Sequence, residues 1–422
     1  MNNEITAELI RLRREFHQCA ETGWLEFETT FKIITYLKKL GLEVKYGKEI
    51  HGERLGLPDK EKITAHRKVV EHMRPDFGIE EILECYTGAV GILDTGKPGP
   101  TVALRFDIDS NGVEEVQESH RPFEEGFASK NKGMMHACGH DGHIAIGLMV
   151  AKGLMDHKDH MKGRILCIFQ PAEEGVRGAK SIVESGIFDN VEYCLSGHIG
   201  FGGKKNQIIC GMGGFYATTK LDIHFYGQPA HAGAYPELGK NALLAGANCA
   251  LNLHTLPQFS GGASRINVGV FQAGTARNIV PSEARMEIET RGESQEINDD
   301  LMNRVLKMID ASAKMYDVGW ETKLVGSAPA YHYKKNNFQA YIFNLLKDMD
   351  IELSEGAVLG GSEDVTYMMQ AVESNGGQAL YFVFGAELSA PHHHNRFDFS
   401  EEALENGYKC YMKTVTDLLK TE

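Results

Sequence analysis

Apolar residues recur at helical spacing over residues 4–17, through Ile5, Leu9, Ile10, Leu12 and Phe16, and predict an amphipathic helix. A second helix is predicted from Glu26 to Leu40, ended by Gly41. Residues 51–80 interrupt the pattern. They are charged, carry Pro58 and Pro75, and read as an inserted surface excursion. Short apolar runs then alternate with helical patterns. Strands are expected at Thr101–Phe106, Arg164–Phe169 and Glu192–Gly197, and helices at 143–156 and 175–185. This alternation predicts an α/β domain with a mixed, mostly parallel sheet flanked by helices.

A different rhythm starts near residue 215. Thr218–Tyr226 alternates, with Leu221, Ile223 and Phe225 as its apolar face. Residues 239–255 read as a helix, Arg265–Phe271 and Ala284–Glu289 as strands, and 294–315 as a long amphipathic helix. Strand–helix–strand–strand–helix–strand is the order of a small α+β, ferredoxin-like unit with helices laid on an antiparallel sheet. It is expected at 215–328, inserted into a discontinuous first domain of residues 1–214 and 329–422. That first domain would resume as helix, strand and helix over 335–420.

Composition narrows the setting. At roughly 100–200 residues per domain, 422 residues suit two domains. An apolar share of 42% is enough for a large core. The net charge of −14, with no basic stripe, argues against a nucleic-acid or anionic-membrane partner. Eight cysteines are scattered from Cys19 to Cys410 with no CxxC pair, the usage of reduced thiols in a cytoplasmic protein. Met1–Phe16 is charged and lacks an apolar run, so no signal peptide is expected. No stretch approaches the roughly 20 apolar residues of a membrane span.

The candidate chemistry is concentrated in His136-Ala137-Cys138-Gly139-His140-Asp141-Gly142-His143. A thiol, three imidazoles and a carboxylate separated by small residues suit a divalent metal, for which imidazole and thiolate are preferred ligands. Other polar groups follow predicted strand ends: Asp107 and Asp109, Glu173 and Glu174, and His198. Ligands of open α/β sheets gather at the carboxyl ends of strands, so three strand ends point to one site. Adjacent carboxylates after a buried strand allow a division of labour, one binding metal while the other moves protons. They also fit a helix N-terminus, where acids complement the dipole. His198 alone reads equally as a structural residue. His392-His393-His394 could be a solvated loop or a late ligand, and Gly227–Gly233 places His231 in a Gly/Pro loop.

Taken in order, these segments resemble the dinuclear-metal amidohydrolases and peptidases related to aminoacylase, hippurate hydrolase and indole-acetyl-amino-acid hydrolases. The resemblance covers essentially the whole chain, from Arg13-Arg14-Glu15-Phe16-His17 through Ala103–Asp109, His136–His143, Gln170–Gly175 and Gly227–Gly233 to Arg396-Phe397-Asp398-Phe399. Gly126–Ser129, Glu289–Gly292, Gly361–Asp364 and Leu55–Asp59 resemble the branch that hydrolyses p-aminobenzoyl-glutamate. The resemblance implies a zinc-peptidase-like catalytic domain with a lid and dimerisation domain. It implies two divalent ions, Mn²⁺ or Zn²⁺, on Cys138, His140, Glu174, His198 and His393, with His392 or His394 the alternatives for the last. Glu173 would be the acid/base and His231 would stabilise the transition state. Asn278 and Arg291 would hold the substrate's carbonyl region and carboxylate. In other branches a metal-binding His stands at the position of Asp107, so Cys138 replaces it here and Asp109 is a supporting acid.

The implied reaction is hydrolysis of the amide of an N-acyl amino acid, with an aromatic acyl group such as p-aminobenzoyl. A dipeptidase or carboxypeptidase would use the same ligands with a different pocket. A non-catalytic metal-binding paralogue would have no use for a second free carboxylate at Glu173. The resemblance further implies a homodimer or a heterodimer with a paralogous subunit.

Overall fold

The structure is a computed structural model that describes residues 3–333 and 335–421. Its strands, in chain order, are β1 (Glu43–Tyr46), β2 (Ala89–Asp94), β3 (Thr101–Asp107), β4 (Arg164–Gln170), β5 (Tyr193–Ile199), β6 (Gln207–Gly213), β7 (Ala217–Tyr226), β8 (Ser264–Ala273), β9 (Glu283–Gly292), β10 (Gly319–Ala328), β11 (Glu352–Val358) and β12 (Gln378–Phe384). Two compact units result. The first comprises Met1–Gly213, Tyr333–Leu359 and Asp364–Glu422; the second comprises Gly214–His332 and Gly360–Glu363.

The first unit is built on an eight-stranded sheet in the order β1-β2-β4-β3-β5-β12-β6-β11. β4, β3, β5 and β12 run parallel at its centre, while β2 on one side and β6 and β11 on the other run the opposite way, and β1 at the edge returns to the central direction. The central strands are buried on both faces, the environment that favours continuous apolar runs over alternation. Helices Asn3–Gln18, His140–Asp156 and Glu402–Leu418 contribute Leu9, Phe16, Ile146, Leu148, Leu404 and Tyr411 to the same core. A Cβ added to Gly147 would lie 2.7 Å from Phe106, so glycine there admits the helix onto β3.

Several elements differ from the sequence pattern for identifiable reasons. β2 and β6 are buried strands interrupted by Gly91, Gly211 and Gly213, which weaken the β-branched signal. Two strands, not one, cross residues 335–420. The helix expected from 143 begins at His140, because Gly139 at φ 89° turns the chain three residues earlier. The helix expected from 175 begins at Gly178, since Gly175 and Val176 are left-handed. The excursion at 51–80 is not merely superficial. It holds the helix Lys60–Arg67 and buries Leu55, His66 and Val70, and the Leu55 carbonyl accepts Trp24 Nε1–H at 2.7 Å.

The second unit carries an antiparallel four-stranded sheet, order β10-β7-β9-β8, with helices Ala242–Leu253 and Gln295–Met315. Leu221, Ile223 and Phe225 of β7 meet Met286, Cys249, Val305 and Ile309 in its own core. The unit extends past residue 328, because Tyr331 and Phe215 exchange backbone hydrogen bonds at 2.9 and 3.1 Å. It also takes in Gly360–Glu363, where Gly361 O accepts Tyr216 N–H at 2.7 Å. All eight cysteines are unpaired and buried. Among the described residues, no helix is long and apolar enough to cross a membrane.

Candidate metal centre

The site forms where three strand ends, one helix start and one late loop converge in the first unit. Asp107 ends β3, His198 lies within β5, and His140 opens its helix. Two residues beyond β3, Asp109 organises the glutamate loop. Its Oδ1 accepts the Glu173 N–H and its Oδ2 the Glu174 N–H, both at 3.0 Å. Its main-chain carbonyl accepts His140 Nδ1–H at 2.9 Å. The sequence marks Asp109 only as a supporting acid; one residue in fact sets both glutamates and a histidine.

The loop between β4 and the helix Gly178–Glu184 is locally strained. Ala172 and Val176 take φ values of 51° and 56°, which L side chains adopt only where surrounding contacts hold them. Those contacts are Asp109 below and Glu26, whose Oε1 accepts Ala172 N–H at 2.8 Å. Burial, then the charge of Asp109, raises the Glu26 carboxyl to about 8. Glu173 and Glu174 therefore stand outside the helix, not on its first turn as dipole-complementing acids would.

The hydrogen bonds also fix which nitrogen faces the site. His140 gives its Nδ1 proton to Asp109, leaving Nε2 buried with no hydrogen-bond partner. His198 gives Nδ1–H to the Ile199 carbonyl at 2.7 Å, and its Nε2 stands 3.4 Å from Cys138 Sγ. Burial, reinforced by His143, holds His198 well below its usual pKa, so it is neutral, the form that ligates metals. Burial pushes the Cys138 thiol up, with Glu174 adding to the effect; a bound cation is what would reverse this and favour thiolate.

Among the three late histidines, the structure separates roles. His393 has φ 66°, its N–H donates to Ala137 O at 2.8 Å, and its Nε2 lies 3.2 Å from Glu174 Oε1. That carboxylate oxygen is buried and has no partner in hydrogen-bond geometry. Burial works against the Glu174 charge, but His393, and then His140, bring its carboxyl down to about 2. His392 instead donates Nε2–H to Ile199 O at 3.1 Å, and exposed His394 accepts Arg396 N–H at 3.1 Å.

The outcome is a set of overlapping groups. The ligating atoms of Cys138, His140 and His198 lie within 4.8 Å of one another, as do those of Cys138, Glu174 and His393, and those of His140, Glu173 and Glu174. Asp107, His140 and His143 also converge, but that group is closed by its own bonds. His143 Nδ1–H donates to Asp107 at 2.5 Å, its Nε2 accepts Ile199 N–H, and Arg105 holds the other Asp107 oxygen. A sulfur, imidazole nitrogens and carboxylates aimed together, with His140 Nε2 and Glu174 Oε1 buried and lacking a partner in hydrogen-bond geometry, fit divalent metal.

Around this centre lies a layer of buried charge that sequence patterns did not assign. Arg13 is wholly buried and reaches Asp141 at 2.9 Å, Asp398 at 2.5 Å and Glu401 at 3.1 Å. It thereby ties the first turn of the His140 helix to the segment that follows His393. His17 bridges Asp141 and Glu115 at 2.8 and 3.0 Å. Asp364 accepts Gln170 Nε2–H, Gly178 N–H and Ala179 N–H near 3 Å. The available signal was Arg13 and His17 lying beside Leu12 and Phe16 on the apolar stripe of the first helix.

His231, Asn278 and Arg291 belong to the second unit. His231 is exposed, and its Nδ1 accepts Gly233 N–H and Ala234 N–H at 3.2 and 3.1 Å. Nε2 is therefore the protonated nitrogen and a free donor. Asn278 is exposed, with its carbonyl accepting Ala232 N–H at 3.0 Å. Arg291 lies on β9, half-buried, with Nη2 3.0 Å from Glu289.

Comparison with known proteins places the chain in a family. Peptidase family M20/M25/M40 matches residues 103–417. The chain is 44% identical to one of the subunits of p-aminobenzoyl-glutamate hydrolase from Escherichia coli K12, over 98% of this chain and 96% of that protein. It is 43% identical to the indole-3-acetyl-aspartic acid hydrolase of Enterobacter agglomerans, over 95% and 93% of the two chains. Among solved structures, an aminobenzoyl-glutamate utilization protein from Klebsiella pneumoniae is similar with a TM-score of 0.82 and 36% identity, covering 99% of this chain and 96% of its own.

Proposed function

The chain belongs to peptidase family M20/M25/M40 and is a hydrolase of that family, and from this we propose that it hydrolyses the amide between an aromatic acyl group and an acidic amino acid, p-aminobenzoyl-glutamate foremost. The convergence of Cys138, His140, Glu174, His198 and His393 beside Glu173 carries the reading. A relative named for p-aminobenzoyl-glutamate and another named for indole-3-acetyl-aspartic acid share that substrate pattern. The second name supports arylacetyl-aspartates as an alternative within the same class.

Cys138, His140, Glu174, His198 and His393 would hold two divalent ions, Mn²⁺ or Zn²⁺. Such ions, when bound, polarise a carbonyl and lower the pKa of water toward neutrality. Glu173 accepts the proton of the attacking water as the C–O bond forms to give a tetrahedral oxyanion, and returns it to the leaving amine as that species collapses and the C–N bond breaks. Asp109 fixes the main chain beneath Glu173 and Glu174, and so their reach. His231 offers Nε2–H to the developing oxyanion, a contribution worth about 2.7–4 kcal/mol when well placed. Arg291 binds the amino acid's α-carboxylate, for which a guanidinium fork is suited, and Asn278 holds the carbonyl region.

Two relatives are named as subunits, which supports a multi-chain enzyme, either a homodimer or a heterodimer with a paralogous chain. Scattered reduced thiols support a cytoplasmic setting. The decisive assay is release of glutamate from p-aminobenzoyl-glutamate by protein loaded with Mn²⁺ or Zn²⁺, alongside indole-3-acetyl-aspartate, hippurate and dipeptides. Chelation should abolish turnover and metal should restore it. Full activity in a verified metal-free sample, or cleavage of dipeptides alone, would overturn the reading.

A further inference from the structure

A cluster of rings lies beside the candidate metal centre within the first unit, with His198 and His392 themselves 5.5 Å apart. The His198 ring is stacked face to face on Phe201, with centroids 3.8 Å apart and planes 23° apart. Phe201 is followed by His392 at 4.9 Å, and His392 by Phe397 at 5.0 Å. His198 and Phe397 are buried. Phe201 and His392 are only partly buried, so these two present the accessible ring surface.

The backbone under Phe201 is unusual. Gly200, Phe201 and Gly202 take φ values of 92°, 38° and 78°. Three successive left-handed residues direct the loop past the end of β5, and the middle one is not glycine. A phenylalanine has reason to avoid this conformation, and strain of this kind accumulates at ligand-contacting positions. His392 is pinned against the same turn. Its Nε2–H bonds to Ile199 O, and its ring lies 2.7 Å from where a Gly200 Cβ would stand. His392 is therefore fixed by a backbone hydrogen bond beside Phe201.

On the substrate reading given above, we propose that Phe201, backed on one face by His198 and flanked by His392, offers its other face as the platform on which the substrate's aromatic acyl group stacks. An acyl carbonyl brought to the His198 edge of the metal centre carries its attached ring into the neighbourhood of Phe201. Offset stacking then selects aryl over alkyl acyl groups. Phe201 is thus a specificity-determining residue, separate from Glu173 and from the ligand set.

The test compares kcat/KM for N-benzoyl-glutamate and N-acetyl-glutamate in the metal-loaded wild type, Phe201→Leu and Phe201→Ala. Leucine keeps bulk against His198 and removes the π face, so it stays informative where alanine fails to fold. The benzoyl-to-acetyl ratio should fall by about fivefold to tenfold in both variants, the size of one aromatic stack. An unchanged ratio, with both substrates losing equally, would make Phe201 a mere buttress of His198 and overturn the proposal. If the wild type cleaves neither substrate, the proposed substrate class fails on its own. Saturation-transfer NMR with p-aminobenzoate still decides the platform: weakened binding in Phe201→Leu supports it, and equal binding overturns it.

Discussion

Apart from exposed His393 and part-buried Glu174, the candidate residues of the two units live under opposite physical conditions. In the first unit, Cys138, His140, His198 and Glu173 are buried, and Arg13, His17, Asp141 and Asp398 surround them as a buried ionic layer. In the second unit, His231 and Asn278 are exposed, Arg291 is half-buried, and their contacts are with nearby main chain or one neighbouring carboxylate. The contrast separates two tasks. A metal centre needs ligands locked before the ion arrives, and buried hydrogen bonds supply that rigidity. Groups that meet a substrate from solvent keep their solvation until binding, and gain most when water is displaced.

The sharpest way to break this contrast is at Glu173. Glu173→Gln should retain metal, measured by atomic emission, and lose about 10²–10⁴-fold in kcat, the usual worth of a positioned acid/base. Wild-type turnover in that variant would remove the carboxylate from the mechanism. The next effect is on stability. Arg13→Met removes the buried guanidinium shared by Asp141, Asp398 and Glu401 and leaves them to His17, Arg121 and Arg14; breaking a buried ion pair costs about 3–5 kcal/mol. The matched change Arg285→Met, on an exposed pair with Glu287 in the second unit, should cost less than about 1 kcal/mol. Equal urea midpoint shifts in the two variants would erase the difference between the regions.

Arg291→Ala should act on affinity instead. Losing a charge-assisted hydrogen bond of about 1.5–3 kcal/mol raises KM by about tenfold or more, with kcat changed much less. A loss confined to kcat would assign Arg291 a different role. The smallest effect is a pH dependence. Burial opposes the charge of His17, yet Asp141 and Glu115 raise it to about 9, above the roughly 6.5 of an unfolded histidine. Its contribution is therefore complete below about pH 6.5 and is lost as pH rises through about 9, with a slope of at most about 1.4 kcal/mol per pH unit. Melting temperature should fall across that window in the wild type, and less in His17→Gln; identical slopes would show that His17 does not carry the charge.

Much of the first unit could be read from the chain, because its signals are chemical and dense. Small residues between Cys138 and His140, and paired acids after β4, have few packing explanations. The alternating β7 and the long helix Gln295–Met315 made the second unit's order legible by periodicity. Elements weakened by glycine, β2 and β6, were not visible, because a glycine-broken run loses the β-branched signature. Nor could pattern assign the tertiary partners of Arg105, Asp364 and Glu26, whose companions lie far along the chain. The late histidines show the same limit. Spacing left three neighbours open, and only the left-handed turn at His393 directs one toward Glu174 while His392 and His394 bond elsewhere.

Asp109 has a consequence for how such a site can change. One side chain seats both glutamate amides and its own carbonyl seats His140. In the language of machining it is a common datum. A small displacement of Asp109 carries Glu173, Glu174 and His140 together, so their mutual spacing tolerates error that would otherwise accumulate through the scaffold. The cost is correlation: on the proposed mechanism, a substitution at Asp109 would alter proton transfer and metal ligation in one step, so neither could be retuned there without the other. Variation that adjusts one function alone must enter elsewhere, through His198, His393 or the loop that holds them.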